Sequence, residues 1–313
     1  MLRRLTVRND NIAVPQSGAM KRSAKGEEPP PVKRSRPARV PIEGFGTEAF
    51  EEDMFQYSLH LERQEMLLRP GWLEGLGIEP KMREVLLDWL IQVHGRFQLL
   101  PETLDLTVHI LNVAIRRLDI TKHNLQLAGI SSLFIAAKYE ETYPPTLEDY
   151  VAIVANCFTK DEIRSWEIQI LKCTGCCLSV PYLINFVRRG STVVMRQRPN
   201  HARSLHNMAK FFSEVGLVDS SLCHLLPSLN AATSVYVALK LEGYTWNQEL
   251  AEVMGYDESQ LREVARMFVK PITTYTNAYG RLQGLREKYS GGTTAHASIL
   301  SPEQKDLLQE LAM

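Results

Sequence analysis

Two cations in this sequence sit in apolar surroundings that should exclude them. Lys138 ends a run in which Leu125, Leu127, Ile130, Leu133, Phe134 and Ile135 alternate with Ala128, Gly129, Ser131, Ser132, Ala136 and Ala137, and Glu140 and Glu141 follow. A cation at the last turn of an apolar helix can cap carbonyls or pair with acids of a docked partner; satisfying the helix dipole is the simpler use. Arg83 is the second case. Advancing about 100° per residue from Met82 sets it among Leu87, Leu90 and Ile91 on the core side, so a polar group on a neighbouring helix must answer its guanidinium. Covalent chemistry has no carrier. The sequence holds no glycine-rich phosphate loop, no His-Glu-x-x-His and no nucleophile with its base, which argues against an all-α enzyme and against any cofactor. Cys173, Cys176 and Cys177 form a Cys-x-x-Cys without a second pair or a nearby histidine, so no metal is expected, and the thiols read as small buried side chains.

The elements that hold these residues are helices. From Asn124, read as an N-cap, to Lys138 the pattern gives a helix of about 15 residues, roughly 22 Å long, closed by Pro144 and Pro145. It has almost no polar face, and its small residues let other helices approach from several sides, so it should be central. Helical segments at 82–97, 102–118, 146–156 and 160–173 surround it, joined by short turns, and strand-like alternation is absent. The second half repeats the first. Asn230–Glu242 aligns under Ala128–Glu140 without a gap, with Ser132/Ser234, Ala136/Ala238, Lys138/Lys240 and Glu140/Glu242 coinciding at an offset of 102 residues. Segments at 181–189, 201–215, 247–254 and 258–279 flank the second copy in similar order. The expectation is an all-α chain of two tandem helical units.

Lys plus Arg and Asp plus Glu both total 36, so net charge points to neither nucleic acid nor membrane. No stretch approaches the roughly 18 apolar residues of a membrane span, and no signal peptide opens the chain, so a soluble intracellular protein is expected. Residues 1–46 are proline-rich, cationic and poor in large apolar residues, and should be a disordered basic tail. Within it Lys21 and Arg22, ten residues, then Lys33, Arg34 and Arg36 have the spacing of a bipartite nuclear import signal, while a basic tail of no address fits equally. Residues 47–68 read as a separate helix with acids at its start. The segment at 82–97 has two apolar faces. Leu87, Leu90 and Ile91 form one; Met82, Val85, Leu86, Trp89 and Val93 form the other, which either meets a further helix or serves as a peptide-docking patch.

Taken together these residues resemble the cyclins, and specifically the B-type mitotic cyclins. The likeness runs from Met82-Arg83-Glu84-Val85-Leu86-Leu87-Asp88-Trp89-Leu90 through Glu102-Thr103-Leu104, Leu125-Gln126-Leu127 and Ala137-Lys138-Tyr139-Glu140-Glu141, with Tyr143-Pro144-Pro145, to Glu167. It continues more loosely through a second box to Lys288-Tyr289-Ser290. The resemblance implies two five-helix cyclin boxes, 47–178 with an N-terminal helix and 179–282, followed by a C-terminal tail, 283–313. It implies a non-enzymatic subunit that binds and activates a cyclin-dependent kinase in mitosis, in nucleus and cytoplasm. Lys138 and Glu167 would contact the kinase's helix C. Met82, Val85, Leu86, Trp89, Gln92 and Gln126 would line a patch for Arg-x-Leu segments of substrates and inhibitors; Arg3-Arg4-Leu5 has that form. Arg188, His206 and Lys210 would hold phosphorylated partner segments, and three donors converging on one anion suit a phosphate.

The chain departs from the family in two places. Asn112 stands where cyclin boxes usually answer the core arginine with an aspartate, leaving Asp105 or Asp119 as compensating acids, or a less stable box. Residues 1–46 also lack an Arg-x-x-Leu destruction box. The rival is a two-box transcription-factor-like DNA- and protein-binding module, which would bring a zinc ribbon and a basic folded surface; neither is visible.

Overall fold

The computed structural model describes residues 48–66, 68–294 and 296–312, with side chains from residue 50. Prolines set the starts of the long helices. α2 (Pro80–Phe97) and α3 (Pro101–Arg117) each open on a proline at the first turn, where its missing N–H is no loss. α4 (Leu125–Glu140) is the expected rod, buried without a break from Leu127 to Ala137. Its small residues do what their size allows: a Cβ on Gly129 would meet the Leu86 side chain at 2.9 Å, so α2 lies directly on the rod. Asn124 does not cap this helix. Its backbone is helical rather than extended, and its side chain accepts from Thr121 N at 2.8 Å and donates to Asp119 O at 3.1 Å, fixing the preceding turn. α5 (Leu147–Ile153) and α6 (Lys160–Thr174) begin on reciprocal capping boxes, Thr146 with Asp149 and Thr159 with Glu162.

α7 (Leu183–Gln197), α8 (Ala202–Val218), α9 (Pro227–Leu241), α10 (Gln248–Met254) and α11 (Glu258–Thr276) repeat this order. α4 and α9 start 102 residues apart, and α9 is buried from Asn230 to Leu239. α7 runs well past the expected end at 189. Gly190 does not break it; a Cβ there would come within 3.0 Å of Met254 Sδ and 3.2 Å of Val235, so the glycine admits its neighbours rather than ending the helix.

Both chain ends cross between the units. α1 (Glu48–Glu65) precedes the first unit in sequence but packs on the second. Phe55 meets Phe186 edge to face at 6.0 Å, and Arg189 stacks on Phe55 at 3.9 Å while pairing with Glu52 at 2.8 Å. Glu62, fully buried, accepts from Ser228 N at 2.9 Å and Ser228 Oγ at 2.5 Å in the first turn of α9, where a carboxylate suits the helix dipole. Burial nevertheless raises its pKa above the ordinary value, against those hydrogen bonds. At the other end, α12 (Gly284–Lys288) lies on α2. Asp88 accepts from Gly284 N at 2.8 Å, and a Cβ on Gly284 would stand 2.4 Å from Asp88 O. A short 3₁₀ turn (Gly292–Thr294) leads to α13 (Pro302–Glu310), which packs on α9 through Gln304, bonded to Glu242 at 2.9 Å. The described residues after 282 thus include packed helices.

No strand occurs among the described residues, and no described helix is long and apolar enough to cross a membrane. The cysteines depart from expectation: Cys176 and Cys177 are exposed in the turn after α6, with Cys176 at φ 56°, and Cys173 is half-buried. The tail, its basic clusters (Lys21, Arg22, Lys33, Arg34, Arg36) and Arg3-Arg4-Leu5 lie outside the described residues.

Candidate functional site

Lys138 and Glu167 meet. The Lys138 ammonium leaves the last turn of α4, rests on the Phe134 ring at 4.3 Å and forms an ion pair with Glu167 of α6. Side-chain exposure is 40 % for the lysine and 16 % for the glutamate, so the pair is presented at the surface by two helices of the first unit. The second unit repeats the device at the aligned lysine. Lys240 lies 5.3 Å from the Tyr236 ring and 2.8 Å from Glu258, at the start of α11. The acids after Lys138 turn inward to the scaffold. Glu140 accepts from the Tyr182 hydroxyl, and Glu141 accepts from Leu100 N at 2.7 Å and Thr103 Oγ1 at 2.5 Å, capping α3.

The patch residues divide by burial. Leu86 and Trp89 are buried on α2, whereas Met82, Val85, Gln92 and, on α4, Gln126 remain half-exposed. Gln92 donates to Asp88 at 3.2 Å, and α12 abuts that end of the stripe through Gly284. The more open end of the stripe is therefore that of Met82, Val85 and Gln126.

Arg188, His206 and Lys210 share one electrostatic neighbourhood on α7 and α8. Burial first, then the charges of Lys210 and Arg188, hold His206 below the ordinary histidine pKa. Burial likewise lowers Lys210. Arg188 is engaged by Glu102 of α3 and by Asn185 at 3.1 Å, and His206 Nδ1 sits 2.8 Å from Ser191 Oγ. Arg188 is exposed and Lys210 half-buried, and the acids Glu102, Glu214 and Asp105 act on these two cations.

Arg83 is fully buried, and its partners correct the expectation that Asp105 or Asp119 compensates. Nε donates to Asn112 Oδ1 at 3.0 Å, and the two terminal nitrogens donate to Val218 O at 2.9 Å and Leu217 O at 3.1 Å. These carbonyls end α8, so a cation of the first unit caps a helix of the second, where the dipole favours it. Asp105 instead accepts from Ile184 N at 3.0 Å, at the start of α7.

One group was not singled out from the sequence. Phe50, Met54 and Tyr57 of α1 are 63 %, 67 % and 62 % exposed, a single stripe at spacings of four and three opposite the buried Phe55 and Glu62. Their apolar type at helical spacing was the available signal; the inward face alone drew the reading. Met54 and Tyr182 line the same groove, and Tyr182 bonds Glu140, two residues beyond Lys138. The α1 stripe is thus linked to the end of α4 through Tyr182.

Two five-helix units on central rods, with an N-terminal helix laid on the second, define a class, and the comparisons agree with it. Residues 53–179 match the family described as Cyclin, N-terminal domain, and residues 181–303 match Cyclin, C-terminal domain. The chain belongs to the cyclin family. It is 32 % identical to the G2/mitotic-specific cyclin-B2 of Oryzias javanicus over 84 % of this chain and 68 % of that one. To the G2/mitotic-specific cyclin-B2 of Bos taurus it is 33 % identical over 87 % and 69 %. Among solved structures, a viral cyclin from herpesvirus saimiri superposes with a TM-score of 0.57 at 18 % identity, over 69 % of this chain and 96 % of that one, a likeness of fold. As a cyclin related to mitotic B-types, the chain is a regulatory subunit for a cyclin-dependent kinase in mitosis. Nothing favours the transcription-factor reading.

Proposed function

We propose that this chain activates its kinase by docking the face formed by Lys138, Glu167 and the exposed α1 stripe against the kinase's helix C and adjacent segments. The observation that supports this reading is a surface ion pair on α4 and α6 together with an apolar α1 stripe that the described residues leave exposed. A partner that binds the helix-in kinase better than the helix-out kinase favours the active state by that affinity difference, and helix C must be in for its glutamate to pair with the ATP-binding lysine. Recruitment of Arg-x-Leu segments at the Met82, Val85 and Gln126 end of α2, and of phosphorylated segments at Arg188, His206 and Lys210, completes the proposal. Import through the basic clusters of the tail would bring the complex to the nucleus.

The test is co-purification with a mitotic cyclin-dependent kinase and a histone phosphorylation assay, comparing wild type with Lys138→Ala, Glu167→Ala and Met54→Glu. Each variant should lower kinase affinity at least tenfold. Equal activation by all four proteins would remove the interface assignment, and failure of wild type to bind any such kinase would remove the activating function.

A further inference from the structure

A groove of about 460 Å³ runs between α1 and α7. Phe55, Phe186, Val193 and Val253 give it an apolar lining. Its α7 wall is cationic, carrying Arg188, Arg189 and Arg196, while Glu51 faces them from α1. Arg188 belongs at once to this groove and to the anion site with His206 and Lys210.

We propose that the groove is the extension of the phosphate site and selects what stands beside the phosphorylated residue in a partner segment. The inference rests on the reading of Arg188, His206 and Lys210 as phosphate donors. With the phosphate at Arg188, the adjoining chain enters the groove, sets an apolar side chain against Phe55 and Phe186, and presents an acidic one to Arg196. The spacing follows from helix geometry. Arg188 and Arg196 are eight residues apart on α7, about 12 Å, which an extended peptide spans in about four residues. The three arginines now pair with Glu102, Glu52 and Glu249. The Arg196–Glu249 pair is exposed and worth only about 0–1 kcal/mol, so an incoming acid can replace it. Inorganic phosphate would occupy the anion site but leave the groove empty.

The experiment measures fluorescence anisotropy of labelled twelve-residue peptides on the full chain. Each has one phosphoserine in a Gly/Ser/Ala background, with phenylalanine three residues to one side and glutamate one further; a second set has the opposite direction. In one direction the phenylalanine peptide should bind roughly tenfold tighter than its alanine counterpart, about 1.4 kcal/mol. Ser58→Tyr fills the groove from its α1 wall, across from the arginines of α7, and should abolish that preference while sparing the alanine peptide. If phenylalanine and alanine peptides bind alike in both directions while Arg188→Ala removes binding of each, the groove inference falls and the phosphate reading stands. If phosphorylated and unphosphorylated peptides bind alike, the phosphate reading falls and takes the groove with it. Displacement of the peptide by added kinase would assign the groove to the kinase and overturn the proposal.

Discussion

A buried arginine answered by an amide and two carbonyls keeps its charge without an acid. Arg83 makes three hydrogen bonds, so removing it leaves Asn112 and the end of α8 unsatisfied, and Arg83→Ala should lose about 3–5 kcal/mol. Asn112→Asp adds the missing charge at the same 3.0 Å position and should gain about 1 kcal/mol, a rise of about 2–4 °C in melting temperature; a fall would show that α8's carbonyls already suffice. Half of this contact was legible in the sequence. The wheel put Arg83 inside and the resemblance to cyclins put position 112 opposite it, but backbone carbonyls carry no residue signature, so their share could not be read. Asp105 supplies a pH test. Burial pushes its carboxyl from 3.8 up to about 7, against the hydrogen bond from Ile184 N and the charge of Lys288. Because the folded pKa is the higher, the carboxylate destabilises the fold increasingly as pH rises from 3.8 to about 7, and no further above that. Relative to Asp105→Asn, wild type should lose about 2 kcal/mol between pH 5.5 and pH 7, at 1.36 kcal/mol per unit. Urea unfolding at pH 5.5, 6.5 and 7.5 measures the gap; a constant gap would mean that Asp105 does not titrate there.

At the scale of elements, what was legible is what burial writes into composition. The two rods were visible because a helix without a polar face must be enclosed, and Gly129 under Leu86 shows what its small residues are for. The length of α7 was hidden because Gly190 looks the same whether it ends a helix or admits Met254. α1 was read as a helix from its pattern, but its seat on the second unit depends on Glu62 reaching Ser228, 166 positions away. That clasp makes a prediction. Glu62→Ala leaves the Ser228 N–H and hydroxyl in the first turn of α9 without their acceptor and should cost about 2–3 kcal/mol. The loss should fall on α1, read as faster amide hydrogen exchange from residue 50 to 65 with the rods unchanged, together with weaker kinase binding. The Lys138–Glu167 pair should behave in the opposite way. As a surface pair it is worth about 0–1 kcal/mol, so Lys138→Ala should leave the melting temperature within a few degrees while lowering kinase affinity. Equal losses of stability and binding would make the pair a strut, as its copy at Lys240 and Glu258 in the second unit would then also be.

Across the whole molecule, the 102-residue repeat gave two units but not what joins them. The joints include polar contacts at helix ends: Arg83 at the end of α8, Glu84 at Ser220, Asp105 at the start of α7, Glu102 at Arg188, Glu62 at the start of α9, and the segment after residue 282. The last of these contains a buried charge pair. Lys288 Nζ contacts both oxygens of Glu214, at 2.7 and 2.8 Å, and the Tyr289 hydroxyl adds a bond of 2.5 Å, while α12 is capped by Asp88 of the first unit. Burial would raise Glu214, but the Lys288 charge beside it, with Lys210, holds it below the ordinary carboxylate range. Ending the chain at residue 282 would strand Glu214 inside α8 and also take Tyr289 from Phe211 and Gln304 from Glu242, so a loss of at least about 3–5 kcal/mol should fall on the second unit as well as on the contact between units. The full chain should therefore melt in one calorimetric transition and the truncated chain in two, with the first unit separating from the second. Adding Glu214→Gln to the truncated chain removes the stranded charge and should recover part of the lost stability. A single transition in both chains, or no gain from Glu214→Gln, would mean that Arg83 and Asp105 couple the units without the C-terminal segment.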